Sequence, residues 1–239
     1  MHELPAAVGP QEVERHGLRG TASTRLRRKI ELVSVPFGRA CKALFDHPRI
    51  AELWPEYAVT THSIIRATVP LMEEAAGRAR GDAESDSVAA GVARYLGEHA
   101  EEERDHDEWL LQDLELLGVD RSAVLARPPS PTVARLVGAQ YYWAFHYHPV
   151  AVLGYIALME GYPPSPRLIE HLVARTGYPR EVFRTFAEHG ELDPHHRDEL
   201  DEAIDSLPLT REHEALLGLS AMSSVELLAR SIEEVVEGA

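Results

Sequence analysis

Cysteine is almost absent: the 239-residue chain has one, Cys41. A lone thiol closes no internal disulfide and anchors no thiolate metal site, and it is consistent with a reducing compartment. Cys41 lies in the apolar run from Phe37 to Phe45, where a free cysteine packs as a small hydrophobe. Positive charge is scarce too. The chain has 24 Lys and Arg against 39 Asp and Glu, a formal charge of −15. That balance argues against a nucleic-acid binder, which needs a basic face. No basic start followed by an apolar run marks a secretory signal, and no stretch reads as the roughly 20 apolar residues of a spanning helix. The expectation is a soluble, cytoplasmic protein with no nucleic-acid or membrane partner. Alternating strand patterns, repeats, low-complexity tracts and long linkers are also missing from the sequence.

What remains is helical periodicity, carried by 44% hydrophobic and 26% charged residues. Residues 1–22 are polar and punctuated by glycine and proline, which predicts a flexible N-terminal arm before a single all-α domain over 23–239. Apolar spacing and breakers predict helices over 24–46, 48–80, 87–118, 132–161, 166–176, 179–206 and 209–237. Pro55 and Pro70 are expected to bend or divide the second of these. The fold class is therefore a bundle of about seven helices.

The chain holds 13 histidines, and three segments place them beside carboxylates. In the first, His99 to Leu111, about 100° per residue puts position 99, position 102 or 103, and position 106 on one helical face. Glu102 or Glu103 with His106 can then reach one ion, as can His99. In the second, Phe186 to His196, the residues His189, Asp193 and His196 stand at i, i+4 and i+7. Two imidazoles and a carboxylate on one stripe can chelate one metal or bridge two. In the third, His146 to Gly161, an almost wholly apolar run ends at Glu160, a carboxylate expensive to bury unless paired or bound to a cation. His146 and Glu160 are about 21 Å apart along a straight helix, so they share no metal directly. Gly154 makes room in this helix for a ligand or a close neighbour. Carboxylates mixed with imidazoles suit Fe(II) or Mn(II), and the lack of clustered cysteine disfavours structural zinc.

Together these segments resemble the haem-oxygenase-like di-iron oxidases, also described as iron-containing redox enzymes. The similarity covers roughly 48–206. It lies in the order of a Glu/His pair, a later Glu and a His-x3-Asp-x2-His run, and in the flanking text His106-Asp107-Glu108-Trp109 and Asp113-Leu114-Glu115-Leu116-Leu117-Gly118. The resemblance implies a haem-oxygenase-like bundle. It also implies a non-haem iron enzyme, with two Fe(II) ions and O2 as co-substrate, acting on an amine, amino acid or fatty acid. The implied metal set is Glu102 or Glu103, His106, Glu160, His189, Asp193 and His196. Tyr142, His146, Gly154 and Tyr155 are expected at a substrate pocket, and no residue is assigned as a catalytic nucleophile. His62 stands near where haem oxygenases present their proximal histidine, so a haem-binding protein is one alternative. A thiaminase-like relative would need a central cysteine, and Cys41 is too near the N-terminus. A non-catalytic interaction protein and a homodimer stay open.

Overall fold

The computed structural model describes residues 20–238; most of the expected arm, residues 1–19, lies outside them. The order is α1 (Ala22–Val33), α2 (Val35–Phe45), α3 (Ile50–Asp82), α4 (Ser87–Glu102), α5 (His106–Leu116), α6 (Arg121–Ala126), α7 (Pro131–His146), α8 (Ala151–Met159), α9 (Pro166–Thr176), a 3-10 turn (Arg180–Phe183), α10 (Arg184–Ser206) and α11 (Arg211–Glu237). Among the described residues there is no strand. Three of the expected long helices are each split in two, at Ser34, at Glu103–Asp105 and near His148.

Local chemistry sets the boundaries. The Asp86 carboxylate accepts from the Val88 and Ala89 N–H groups at 2.8 and 3.1 Å and so caps α4. Ser130 and Ser165 cap α7 and α9, each followed by proline at the first helical position. Gly177 ends α9 at φ 72°, a backbone region that glycine enters freely. Thr210 and His213 form a reciprocal cap at the start of α11.

The prolines do not divide α3, which runs unbroken for 33 residues. Pro55 has no N–H for the carbonyl of Ala51, four residues back. The hydroxyl of Tyr178 donates to that carbonyl instead, at 2.7 Å. Pro70 sits on the exposed face, where water can serve the freed acceptor.

Two apolar clusters fill the bundle. One joins the C-terminal half of α3 to α4, α7, α8 and α11. The other joins α2 and the N-terminal half of α3 to α5, α9, the 3-10 turn and the end of α11. Among the described residues α11 is the one helix long and apolar enough to cross a membrane, yet 56% of its most apolar window is buried in the bundle. Its main partner is α8, whose residues from Ala151 to Leu158 are all buried.

Gly154 explains how close α8 and α11 come. A Cβ there would collide with the Leu217 carbonyl oxygen of α11 and lie 3.1 Å from the Ala221 nitrogen. The glycine serves helix packing, not a ligand. Gly154→Ala should therefore destabilise by about 1–3 kcal/mol through overpacking, despite the roughly 1 kcal/mol that alanine gains over glycine in a helix. Urea unfolding checks this; an unchanged or raised midpoint would contradict the packing role.

Candidate metal centre

The break between α4 and α5 decides how the donors group. Helix α4 ends at Glu102, Glu103 is its C-cap, and Asp105 turns the chain at φ 68° before α5 starts at His106. A continuous helix would have put His99, Glu103 and His106 on one stripe. Broken here, the chain sends His99 and His106 into different groups and leaves Glu103 between them.

One group is His99, Glu103, Glu160 and His196, with one donor atom from each within 4.8 Å of all the others. The other is Glu103, His106 and His189, within the same limit. His99 Nε2 contacts Glu160 Oε1. Glu103 Oε1 lies 3.3 Å from His196 Nδ1, while Glu103 Oε2 lies 3.0 Å from His106 Nδ1 and 3.9 Å from His189 Nε2. Each carboxylate oxygen of Glu103 thus faces its own group.

Several supports aim the rings. His189 Nδ1 donates to the Thr185 carbonyl at 2.8 Å, which leaves Nε2 as the free lone pair facing Glu103. Thr185 is fixed in turn by Asp113, which accepts from its N–H at 2.8 Å and from its hydroxyl at 2.6 Å. Trp109 stacks on the His106 ring, centroids 4.0 Å apart.

The donor set suits divalent cations. Glu103 Oε1, Glu160 Oε2 and His196 Nδ1 are buried with no hydrogen-bond partner, and a buried polar atom without one is costly unless a ligand satisfies it. Protons partly stand in for cations. Burial opposes charging His99, but the Glu160 carboxylate and its neighbours push its pKa up to about 9. The Glu103 carboxylate pulls His196 upward against burial, while His189 rises although burial opposes it. Burial works against the Glu103 carboxylate, but three imidazoles hold it far below the ordinary carboxylate range. Asp193 goes the other way: burial, with Glu160 and Glu103 nearby, pushes it up to about 7.

The other expected site residues divide clearly. Glu103, not Glu102, joins both groups; Glu102 is half-exposed, 3.4 Å from His99 and 4.0 Å from His196. Asp193 is buried beside the donors but belongs to neither group. His99 belongs to the first. His62 is fully buried with both ring nitrogens unpartnered, and it does not line the cavity described next.

That cavity, about 200 Å³, is walled by apolar side chains such as Phe37, Ile64, Ile156, Phe186 and Ile232, and it opens on His99, Glu103, Glu160, His189 and Asp193. The expectation that Tyr142 and His146 line a pocket does not hold. Tyr142 is 55% exposed and packs at a tilt against His146 at the surface, where α7 ends. Tyr155 stands one layer behind the wall. Its hydroxyl is 3.0 Å from the Thr68 hydroxyl, which itself lies 3.1 Å from the Ile64 carbonyl. With its proton given to that carbonyl, Thr68 accepts from Tyr155. The sequence reading missed Tyr57, Thr61 and Thr68, which line the cavity; they stand at i, i+4 and i+11 on one stripe of α3, and that spacing was legible.

A third group, Asp86, His148 and His213, has donors within the same limit. His148 Nδ1 accepts from the Val150 N–H and His213 Nδ1 from the Thr210 N–H. In the neutral rings Nε2 then carries the proton, and His148 Nε2 faces Asp86 at 3.2 Å. This group ties helix ends together without presenting free nitrogens.

A family described as iron-containing redox enzymes matches residues 68–228. Among solved structures, a domain of unknown function with a heme oxygenase-like fold from Shewanella denitrificans OS217 has TM-score 0.71 and 19% identity, covering 98% of this chain and 94% of that one. A TenA homolog from Pseudomonas syringae pv. tomato DC3000 has TM-score 0.70 and 11% identity, covering 96% and 98%. At these identities the likeness establishes the haem-oxygenase-like fold and nothing finer. No curated protein matches the sequence.

The protonation pattern yields a pH dependence. The stability from the His99–Glu160 pair is complete below the ordinary imidazole pKa and is lost as pH rises through about 9. Asp193 likewise favours the fold while protonated and disfavours it as pH rises through about 7. Both weaken the cation-free fold toward alkaline pH, where a cation meets least competition from protons. The rise in Tm on saturation with Mn(II) should therefore be larger at about pH 8.5 than at about pH 6.5. Equal rises in differential scanning calorimetry would count against this.

Proposed function

Since the chain belongs to the family of iron-containing redox enzymes, we propose that it is a non-haem di-iron oxidoreductase that uses O2 on a small organic substrate with an apolar body. The observation that carries this reading is Glu103, whose two oxygens face two separate sets of imidazoles. On this reading His99, Glu160 and His196 would hold one iron and His106 and His189 the other, with Glu103 shared between them. Iron bound there supplies one-electron redox chemistry toward dioxygen.

The chain's own part is to aim donors, shield the site and orient the substrate. Asp113, through Thr185, fixes the His189 ring before any ion arrives. The apolar cavity wall excludes bulk water, which restrains side reactions. Asp193, with its pKa near neutrality, can hold or release a proton at that wall. Among the described residues no Lys or Arg lines the cavity, so a substrate carboxylate would be oriented at the centre itself. Thr61, Thr68 and Tyr57 are the polar groups on the opposite wall, suited to an uncharged polar group. The long apolar wall favours a fatty acid or another aliphatic substrate, which buries more apolar surface there than a small polar one.

Metal stoichiometry tests the bridging role. Protein loaded with Fe(II) without oxygen should hold about two ions per chain, the number such carboxylate sites bind. His106→Ala and His196→Ala should each lose about one, and Glu103→Ala should lose both. Elemental analysis reads this, with oxygen uptake by the loaded protein as the second measurement. A folded Glu103→Ala variant with full iron content would refute the bridge.

A further inference from the structure

The apolar cavity is not the only hollow that reaches His99. On its other side, between α4 and α10, lies a second one of about 330 Å³, and His99 lines both. Its lining is of the opposite character. Glu98 and Glu102 come from α4 and Glu199 and Glu202 from α10, and among the described residues Arg94 is the one Lys or Arg lining it. Tyr95, 8% exposed, also lines it, and its hydroxyl has no hydrogen-bond partner. The Tyr95 ring stacks on the His99 imidazole, centroids 5.4 Å apart. At the inner end the Glu102 carboxylate is 3.4 Å from His99 Nδ1 and 4.0 Å from His196 Nε2.

We propose that this acidic vestibule is the loading port for the centre's divalent metal: the glutamates gather a hydrated cation, and Glu102 hands it to His99 and His196. The proposal rests on the metal reading above. The apolar cavity offers an incoming ion a few hydroxyls but no carboxylate until it reaches the donors and Asp193 beside them, so an ion travelling that way would meet mostly apolar walls, where desolvation of charge is expensive. In the vestibule, carboxylates replace lost waters step by step. The unpartnered Tyr95 oxygen is placed to accept from a water that the ion still carries. The two hollows then divide the work, with substrate on the apolar side of His99 and metal on the acidic side. Glu102 is a transfer group here and not a permanent donor, which accounts for its closeness to two donor histidines while it remains half-exposed.

Stopped-flow uptake of Co(II) by metal-free protein, followed by the cobalt absorbance, tests this. A cleft lined by one sign of charge raises counter-ion association rates by roughly 10-fold or more. Glu199→Gln/Glu202→Gln should therefore slow association about 10-fold and flatten its dependence on ionic strength, with the final stoichiometry and spectrum unchanged. Glu98→Gln, a milder surface change, should slow it less. Glu52→Gln/Glu237→Gln removes equal charge elsewhere and should leave the rate near that of the wild type. Unchanged rates in the vestibule variants, or equal slowing by the remote pair, would overturn the port and leave the metal centre standing. If wild-type protein takes up no Co(II), the centre itself fails, and the port with it.

Discussion

Burying several imidazoles and carboxylates in one bundle is tolerable only if each charge faces a partner, and Glu103 is where those pairings meet. Burial by itself would push its carboxyl up, yet the imidazoles around it hold the carboxylate ionised. In the cation-free protein His189 and His196 hold a proton more firmly than a free imidazole does, as does His99 beside Glu160. A divalent cation supplies the same compensation more strongly and relieves the atoms that protons leave unsatisfied. The orphaned oxygens of Glu103 and Glu160 mark where that compensation is incomplete. The surrounding fold is arranged around holding this charge cluster: α8 ends at Glu160, α10 begins with Thr185 anchored on Asp113, and α4 stops where Glu103 is needed.

The polarity of the two hollows beside His99 follows from which helix faces line them. On the α3 side the wall comes from a stripe that also serves the core, so it is aliphatic and aromatic with three hydroxyls set into it. On the other side α4 and α10 meet along stripes with the same spacing, Tyr95, Glu98, Glu102 and Glu199, Glu202, Ser206, near the surface. Acidic residues there remain hydrated and cost little until an ion arrives. One imidazole separates a low-dielectric chamber from a charged one, which keeps each chemistry in the medium that favours it.

Much of this was legible in the sequence, for identifiable reasons. The His189, Asp193 and His196 stripe stood out because three ligand-type residues coincide at helical spacing, and Glu160 because a carboxylate closes an apolar run. Glu102 and Glu103 could not be separated, since either reaches His106 within a turn; only the backbone break chooses. Tyr142 and His146 were misplaced because α7 and α8 read as one periodic helix. The signal against that was present: His148 precedes Pro149, and a residue before proline is driven out of the helical region. Pro55 misled in the opposite direction, because the hydroxyl that serves its orphaned carbonyl comes from Tyr178, far along the chain. Periodicity reports which faces are buried. It does not report which distant group rescues a local defect.

The turn at Glu103–Asp105 shows what secures such a site. A non-glycine residue at positive φ is disfavoured by roughly 1 kcal/mol or more, least for Asp and Asn, and Asp105 takes that conformation without a side-chain cap on α5. Helix propensity would have the chain continue. What opposes it is side-chain chemistry on both faces of the turn. Outside, Arg104 pairs with Glu101 and Glu73, in exposed pairs that contribute little. Inside, Glu103 meets His106, His189 and His196, in a buried cluster where charge attraction is screened little by water. The inner set must therefore supply most of the balance, so the local backbone conformation is a consequence of the donor cluster as much as its support.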